Sequence, residues 1–377
     1  MPLGEAALRE GKYTATVMTT VGDADKDLEA TGLNVLPFDF VRSSTSKFSA
    51  IKLFWRLVRE LRRERPDIIH FISLKPILLG GLAALFVPKA ATVHHLTGLG
   101  YLADGNSLKA KIMRNISFRM LGLYLRRSKS WFITENSDDL AFARQYGAPE
   151  NNRTSMFGGA GVDPDHFTEM PPAPDEKVHA GYVGRMIWSK GVDILVSAKE
   201  VLQNRGTNLQ LDMYGTPDTA NPRALQLKTM EQWNTRPGVK WHGPIKDVRD
   251  VWQHCEIAIV PTRTREGMPR AMLEAAACGR ALIVTDVPGC REFVRDGIEG
   301  LIVPPDDESA LADAMEKLVL DSDLRKRMGQ AARQRILGGY TESHVKKDVL
   351  EIYATLLNDR PQRVFGEASG RRDNMKR

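Results

Sequence analysis

Cysteine is scarce in this 377-residue chain. There are three, Cys255, Cys278 and Cys290, with no Cys-x-x-Cys pair and no cluster among the 8 histidines. That scarcity argues against a disulfide framework or a zinc site and makes a reducing cytoplasm the expected setting. No signal peptide is visible. The longest apolar run, from Pro76 to Val87, falls short of the roughly 20 residues a membrane span needs, and its two glycines suit a helix packed closely on a sheet. Neither the GxxxxGK[ST] order of a P-loop nor the GxGxxG dinucleotide fingerprint occurs. Aromatic residues are not interleaved with basic ones as a base-stacking platform requires, so no nucleic-acid partner is expected.

What the chain does contain is ordinary for a globular enzyme, with 42% hydrophobic and 27% charged residues, and its length fits two domains. Strand-like apolar segments alternate with helical ones, which predicts a parallel α/β sheet in each half. Strands are expected at 13–20, 35–40, 67–73, 91–95 and 130–134. A proline-rich, charged stretch around 171–176 reads as a linker. Strands then resume at 178 and continue at 209–214, 239–242, 257–260, 281–285 and 300–303. Helices fill 308–357. The net charge of +6 is uneven, with 15 Lys/Arg against 4 Asp/Glu between residues 51 and 130. Amphipathic basic helices at 51–63 and 109–129 carry this surplus. Such helices can lie on an anionic membrane, and they fit equally a sheet-facing apolar stripe with solvated arginines.

Two motifs carry chemistry. The first is Glu266-Gly-Met-Pro-Arg-Ala-Met-Leu-Glu274, which follows the buried strand at 257–260. Pro269 is expected at the first helical position, where its missing N–H costs nothing. Glu266 then lies on the strand-to-helix loop and Glu274 about a turn and a half inside the helix. Amides at a helix start favour an anion, and two carboxylates can accept from hydroxyls. A nucleotide-sugar presents both. The ordinary alternative pairs Glu274 with Arg270 across one helical turn and leaves Glu266 as a loop charge. The second motif is Gly184-Arg-Met-Ile-Trp-Ser-Lys190-Gly191, again after a short apolar strand. Arg185 can fork onto two phosphate oxygens while Lys190 supplies a compact charge. Ligands of open α/β sheets bind at such strand ends.

The G-R-x-x-x-x-K-G loop followed by E-G-x-P-x-x-x-x-E resembles the retaining glycosyltransferases of family four, which have the GT-B fold. Gly159-Ala-Gly-Val-Asp163, Val287-Pro-Gly-Cys-Arg-Glu292 and Asp296-Gly-Ile-Glu-Gly-Leu-Ile-Val-Pro304 are similar to further family elements. Leu96-Thr-Gly-Leu-Gly-Tyr101 and Thr134-Glu-Asn-Ser-Asp-Asp139 look like a subgroup acting on lipid-linked oligosaccharides, in bacterial glycan or exopolysaccharide assembly. The resemblance implies two Rossmann-like parallel-sheet domains facing across a cleft. Residues 1–170 would bind the acceptor and 171–340 the nucleotide-sugar. Residues 341–360 would form a helix packing back on the first domain, with 361–377 a disordered tail.

The implied reaction moves a sugar from a nucleotide-sugar, UDP before GDP, to a lipid-linked glycan on the inner face of the cell membrane. No cofactor and no metal are required. Arg185 and Lys190 would neutralise the diphosphate, Glu274 would bind ribose hydroxyls, and Glu266 would hold the donor sugar. Gly184, Gly267, Met268 and Pro269 would shape the donor loop, with amides from Gly267 and Met268. His95, at a strand end, would touch the donor, although His94 competes for that alignment and a structural role fits either. Gly98, Gly100 and Tyr101 would shape the acceptor side, with Glu135 and Asp138 as further candidates there. Asp-x-Asp triplets, as metal-dependent transferases use, occur at 23–25, 25–27, 163–165 and 321–323; they read as turns and caps. A glycosidase pair fits the two glutamates poorly beside phosphate-binding cations. A sugar-nucleotide epimerase and a degenerate nucleotide-sugar-binding protein remain alternatives.

One departure stands out. Family members open with a strand and a Gly-rich loop before the first helix, whereas this sequence begins with what reads as that helix. The central first strand is therefore expected to be missing from the first sheet, leaving backbone groups unpaired. Either the natural start lies upstream or the chain is impaired, and the first reading is preferred.

Overall fold

The computed structural model describes residues 2–19, 31–38, 47–98, 108–146, 153–171, 177–219, 221 and 223–358. The expected tail at 361–377, most of the linker, Gly100, Tyr101 and the triplets at 23–27 lie outside these. The N-terminal half contains α1 (Pro2–Arg9), β1 (Thr16–Thr19), β2 (Asn34–Pro37), α2 (Lys47–Glu64), β3 (Ile68–Ile72) and α3 (Leu74–Ala84). It continues with β4 (Ala91–Leu96), α4 (Leu108–Leu125), β5 (Ser130–Thr134), α5 (Ser137–Gln145) and β6 (Thr154–Met156). Strands β3-β4-β5-β6 form a parallel four-stranded sheet, while among the described residues β1 and β2 pair only with each other. The chain therefore opens with a helix, as expected, and its first two strands stand apart from the main sheet. Strand β6 has no counterpart among the expected strands, because three residues are too few to show an alternating pattern.

The second half restarts with β7 (Val178–Val183), α6 (Val192–Asn204), β8 (Leu209–Tyr214), α7 (Leu227–Trp233), β9 (Val239–Gly243) and α8 (Arg249–His254). It goes on through β10 (Ile257–Val260), α9 (Arg270–Ala277), β11 (Ala281–Thr285), α10 (Cys290–Phe293) and β12 (Gly300–Val303). Three helices finish it: α11 (Glu308–Leu320), α12 (Ser322–Leu337) and α13 (Glu342–Asn358). The six strands are parallel in the order β12-β11-β10-β7-β8-β9. β11 is buried along its whole length and β10 along all but its last residue, as strands covered by helices on both faces must be. One face packs against α6 and α11, the other against α8, α9 and α12.

The first sheet is covered likewise. On one face α2, α3 and α4 lie side by side, bringing Leu57, Ile77 and Phe118 into one core. Close approach explains two glycines of α3: a Cβ on Gly80 would lie 2.3 Å from the Phe71 ring, and one on Gly81 2.5 Å from that of Tyr124. The other face is covered by the last helix, α13, whose Val349, Ile352 and Leu356 pack on Ala91, Val93 and Ile133. The chain crosses between the halves twice, and the crossings touch through a bridge between Val162 and Thr341.

Candidate functional site

The strand order of the second sheet reverses direction between β7 and β10, which pair through Ile257–Ala180 and Ala258–Gly181. Crevices at such switch points, beyond the C-terminal strand ends, are where open α/β sheets hold ligands. The two sequence motifs are the loops that leave these two strands. Gly184 directly follows β7, its amide donating to the Tyr214 carbonyl at 3.0 Å. A 3-10 turn, Trp188–Lys190, then delivers Lys190 across the crevice. Its Nζ lies 2.6 Å from both carboxylate oxygens of Glu266. The buried Thr262 hydroxyl, from the start of the loop after β10, reaches Glu266 Oε1 at 2.5 Å. Lys190 and Glu266, distant in sequence, are thus joined by adjacent parallel strands.

Arg185 is less committed. Its side chain is 58% exposed and its guanidinium pairs with Asp218 at 2.9 Å. Pro269 corrects the expectation for the helix start: its ψ of 120° is extended, so it caps α9 rather than entering it. Its carbonyl accepts from the Met272 amide at 3.1 Å, and Arg270 opens the helix. Gly267 and Met268 consequently belong to the loop. Glu274 sits within α9, 7% exposed. The turn-spanning pair that the ordinary reading anticipates is present, with Arg270 Nε 2.7 Å from Glu274 Oε1. Arg270 itself is mostly exposed, so this pair is worth only a few tenths of a kcal/mol. Burial raises the Glu274 carboxyl above its ordinary range, while the Arg270 bond and charge pull it back.

The first domain closes over the same loop. Gly98 has φ of +104°, and a Cβ there would lie 2.6 Å from the Gly267 nitrogen. Gly98, expected on the acceptor side, lies directly against the loop that carries Glu266 and Gly267. His94 and His95 point to opposite faces of β4. His94 stacks on Tyr124 among the helices, neither ring nitrogen has a hydrogen-bond partner among the described residues, and burial with the nearby Arg127 lowers it to about 3. His95 faces the other way, stacked on His70, with Nε2 3.6 Å from Glu135 Oε1. Of the two, only His95 reaches the cleft side.

The segment after β5 adds contacts to the second domain that sequence reasoning did not foresee. Glu135 Oε2 accepts from the Met268 amide at 2.8 Å, and Asn136 Nδ2 donates to the Glu266 carbonyl at 3.1 Å. Ser137 donates from its amide to Glu292 at 2.8 Å, and Arg291 pairs with Asp138 at 2.8 Å. Glu135 and Asp138, expected toward the acceptor, make these contacts with the second domain. The visible signal was the Asn136-Ser-Asp-Asp cap of α5, which promises a helix start but not what the cap's free donors grip. The described acidic triplets behave as turns and caps: Asp163 Oδ1 accepts from the Asp165 amide at 3.0 Å, and Asp321 caps α12 through Leu324 at 2.8 Å.

Comparisons with known proteins bear on the family and the fold. Residues 5–152 match the family model Glycosyltransferase Family 4, and residues 177–321 match Glycosyl transferases group 1. The chain is a glycosyltransferase of the GT-B fold. It is 24% identical over 365 residues to the N,N'-diacetylbacillosaminyl-diphospho-undecaprenol alpha-1,3-N-acetylgalactosaminyltransferase of Campylobacter jejuni, covering 94% of both chains. The capsular polysaccharide biosynthesis glycosyltransferase CapM of Staphylococcus aureus is 23% identical, with 93% of this glycosyltransferase and 92% of CapM covered. Among solved structures, Anabaena HepE in complex with UDP and glucose superposes with a TM-score of 0.75 at 17% identity, over 94% of each chain. That last likeness establishes the fold. Two parallel-sheet domains, each ending its strands toward one cleft, are what the motifs implied.

Proposed function

We propose that this glycosyltransferase moves a sugar, with retained anomeric configuration, from a UDP-sugar to a lipid-linked glycan in cell-surface polysaccharide assembly. The observation that carries the reading is the convergence of Lys190, Thr262 and Glu266 at the switch point, with Glu274 buried in the adjoining helix. Relatives named for an undecaprenol-linked acceptor and for capsular polysaccharide support the acceptor class, and a UDP-bound neighbour supports the base. In this reading the bond from the sugar's anomeric carbon to the diphosphate breaks as the acceptor hydroxyl adds on the same face. The hydroxyl proton passes to the departing diphosphate. Lys190 and Arg185 meet the charge that develops there, so turnover should survive EDTA. Glu274 takes the ribose hydroxyls, Glu266 the sugar hydroxyls, and His95 lines the sugar from the first domain. Lys190 and Glu266 satisfy one another until the donor separates them.

The same reading places the enzyme peripherally on the inner face of the membrane. Among the described residues no helix is long and apolar enough to span one. The layer of α2, α3 and α4 instead exposes Trp55, Leu85, Phe86, Ile112, Ile116 and Leu123 beside arginines. Trp55 and Phe86 form an edge-to-face pair at 5.6 Å with Arg62 over the Phe86 ring. Large apolar side chains ringed by cations suit an anionic bilayer surface.

Calorimetry with UDP, with GDP as control, on this chain and on Glu274→Ala tests the donor reading. Binding that is specific for UDP and lost in the variant is expected; equal binding by both chains would reject it. Flotation with anionic vesicles, comparing wild type with a Trp55→Ser, Phe86→Ser double variant, tests the membrane face. Unaltered flotation of the variant would remove that face from consideration.

A further inference from the structure

We infer that Glu135 and Asn136 are positioning residues that make the orientation of Glu266 conditional on closure of the two domains. The inference rests on the reading of Glu266 as a donor-site residue. Gly267, its neighbour, is flanked by two peptide groups, and the first domain holds both. Asn136 Nδ2 binds the carbonyl on one side at 3.1 Å, and Glu135 Oε2 binds the Met268 amide on the other at 2.8 Å. Fixing both peptide planes fixes the backbone direction from which the Glu266 side chain leaves toward Lys190 and Thr262.

The fit admits nothing larger than glycine at 267. A Cβ there would lie 1.9 Å from Glu135 Oε2 and 2.7 Å from the Thr97 carbonyl oxygen. From the other side Gly289, with φ of +87°, approaches so closely that its Cβ would lie 1.5 Å from the Gly267 oxygen. The loop is thus pressed between backbone of the second domain and, from the first, the Thr97 backbone and the Glu135 side chain. With the domains apart, Gly267 loses one wall and both hydrogen bonds, and a residue as permissive as glycine then has no fixed direction.

Glu135 and Asn136 are built to hold this grip. Both are at least nine-tenths buried. Asn136 is itself braced, its Oδ1 accepting from the Asp139 amide at 2.8 Å and its Nδ2 donating also to Asp139 Oδ2 at 3.0 Å. Glu135 keeps its second oxygen toward His95 and lines a cavity of about 200 Å³ with Phe157, Met268 and Tyr340. The carboxylate therefore has room to withdraw when the domains part. A glutamate oriented only in the closed enzyme would keep the donor from reacting with water before the acceptor is enclosed.

The test compares Glu135→Ala and Glu135→Gln in the full chain, since Asn136 also caps α5 and its loss would confound folding. Measured are UDP affinity, kcat, donor KM, and donor hydrolysis without acceptor. For Glu135→Ala, UDP affinity within about twofold of wild type, kcat at least tenfold lower, and donor KM changed less than threefold are expected. Donor hydrolysis without acceptor should fall together with kcat, since an unoriented Glu266 serves neither reaction. Glu135→Gln, whose side-chain oxygen still accepts the Met268 amide, should recover most of kcat. Unchanged kcat in Glu135→Ala would overturn the inference, as would a tighter donor KM, which would make Glu135 a competitor for the amide. Equal loss in both variants would show that charge rather than the hydrogen bond matters. A wild-type chain that binds no UDP would sink the donor-site reading first and this inference with it.

Discussion

Replacing Asp139 by asparagine should remove a pH-dependent weakness from the joint between the domains. Asp139 lies wholly buried in the first turn of α5. One carboxylate oxygen accepts from Asn136, and the other has no hydrogen-bond partner among the described residues. Burial raises its carboxyl from 3.8 to about 6, against the opposing pull of the Asn136 bond and Arg265. The folded protein therefore holds this proton more tightly than the unfolded chain. Its contribution to stability is fully present below 3.8 and is lost as pH rises through 6. At about 1.4 kcal/mol per pH unit, the shift amounts to about 3 kcal/mol against the folded state at pH 8. Roughly half of this is already lost at pH 5 on the same scale. The stability difference between Asp139→Asn and wild type should accordingly grow in the variant's favour by about 1.4 kcal/mol from pH 5 to 8. Urea unfolding followed by tryptophan fluorescence reads it, with Trp131 on the neighbouring strand β5 as a local reporter. Parallel pH profiles for the two proteins would refute the reasoning, because other titrating groups are common to both.

Other outcomes follow from the same geometry. Lys190→Ala should lower turnover by about a hundredfold or more, and should also lower the melting temperature because it strands the Glu266 carboxylate; intact turnover in steady-state assays would contradict the site. His95→Ala should reduce turnover at least tenfold with the melting temperature held, and wild-type turnover would remove His95 from the site. His94 is held neutral, its value lowered from 6.5 to about 3, so wild-type stability is lost as pH falls below 6.5. His94→Phe should lose about 2 kcal/mol less than wild type between pH 7.5 and 5 in urea unfolding.

Much of the second domain was legible because its strands are buried on both faces and so read as apolar runs between turn residues. Ile257–Val260 and Ala281–Thr285 match the expected bounds for that reason. The pairing of Lys190 with Glu266 was only half legible. Each motif shows that it follows a strand, but neither shows that the two strands are neighbours. The first domain was less transparent, since β6 is three residues long and β1–β2 stand apart. Harder still was the grip on Gly267. Glu135 and Asn136 look like the ordinary prelude to a helix, and what they hold lies about 130 residues further along the chain. Pro269 shows the limit of local rules: its fixed φ suits both a cap and a first helical residue, and only ψ tells them apart.

The strap made by α13 bears on how this chain comes off the ribosome. The layer containing Ala91, Val93 and Ile133 is covered by Val349, Ile352 and Leu356. These partners are translated long after the sheet they cover. At 5–20 residues per second, the stretch from 157 to 349 takes roughly 10–40 s to emerge. During that interval α13 is not there to cover its face of the first sheet, and the second domain, whose core reaches Ile336, is itself completed only shortly before α13. The first domain thus waits for a helix that is made after nearly all of the second domain.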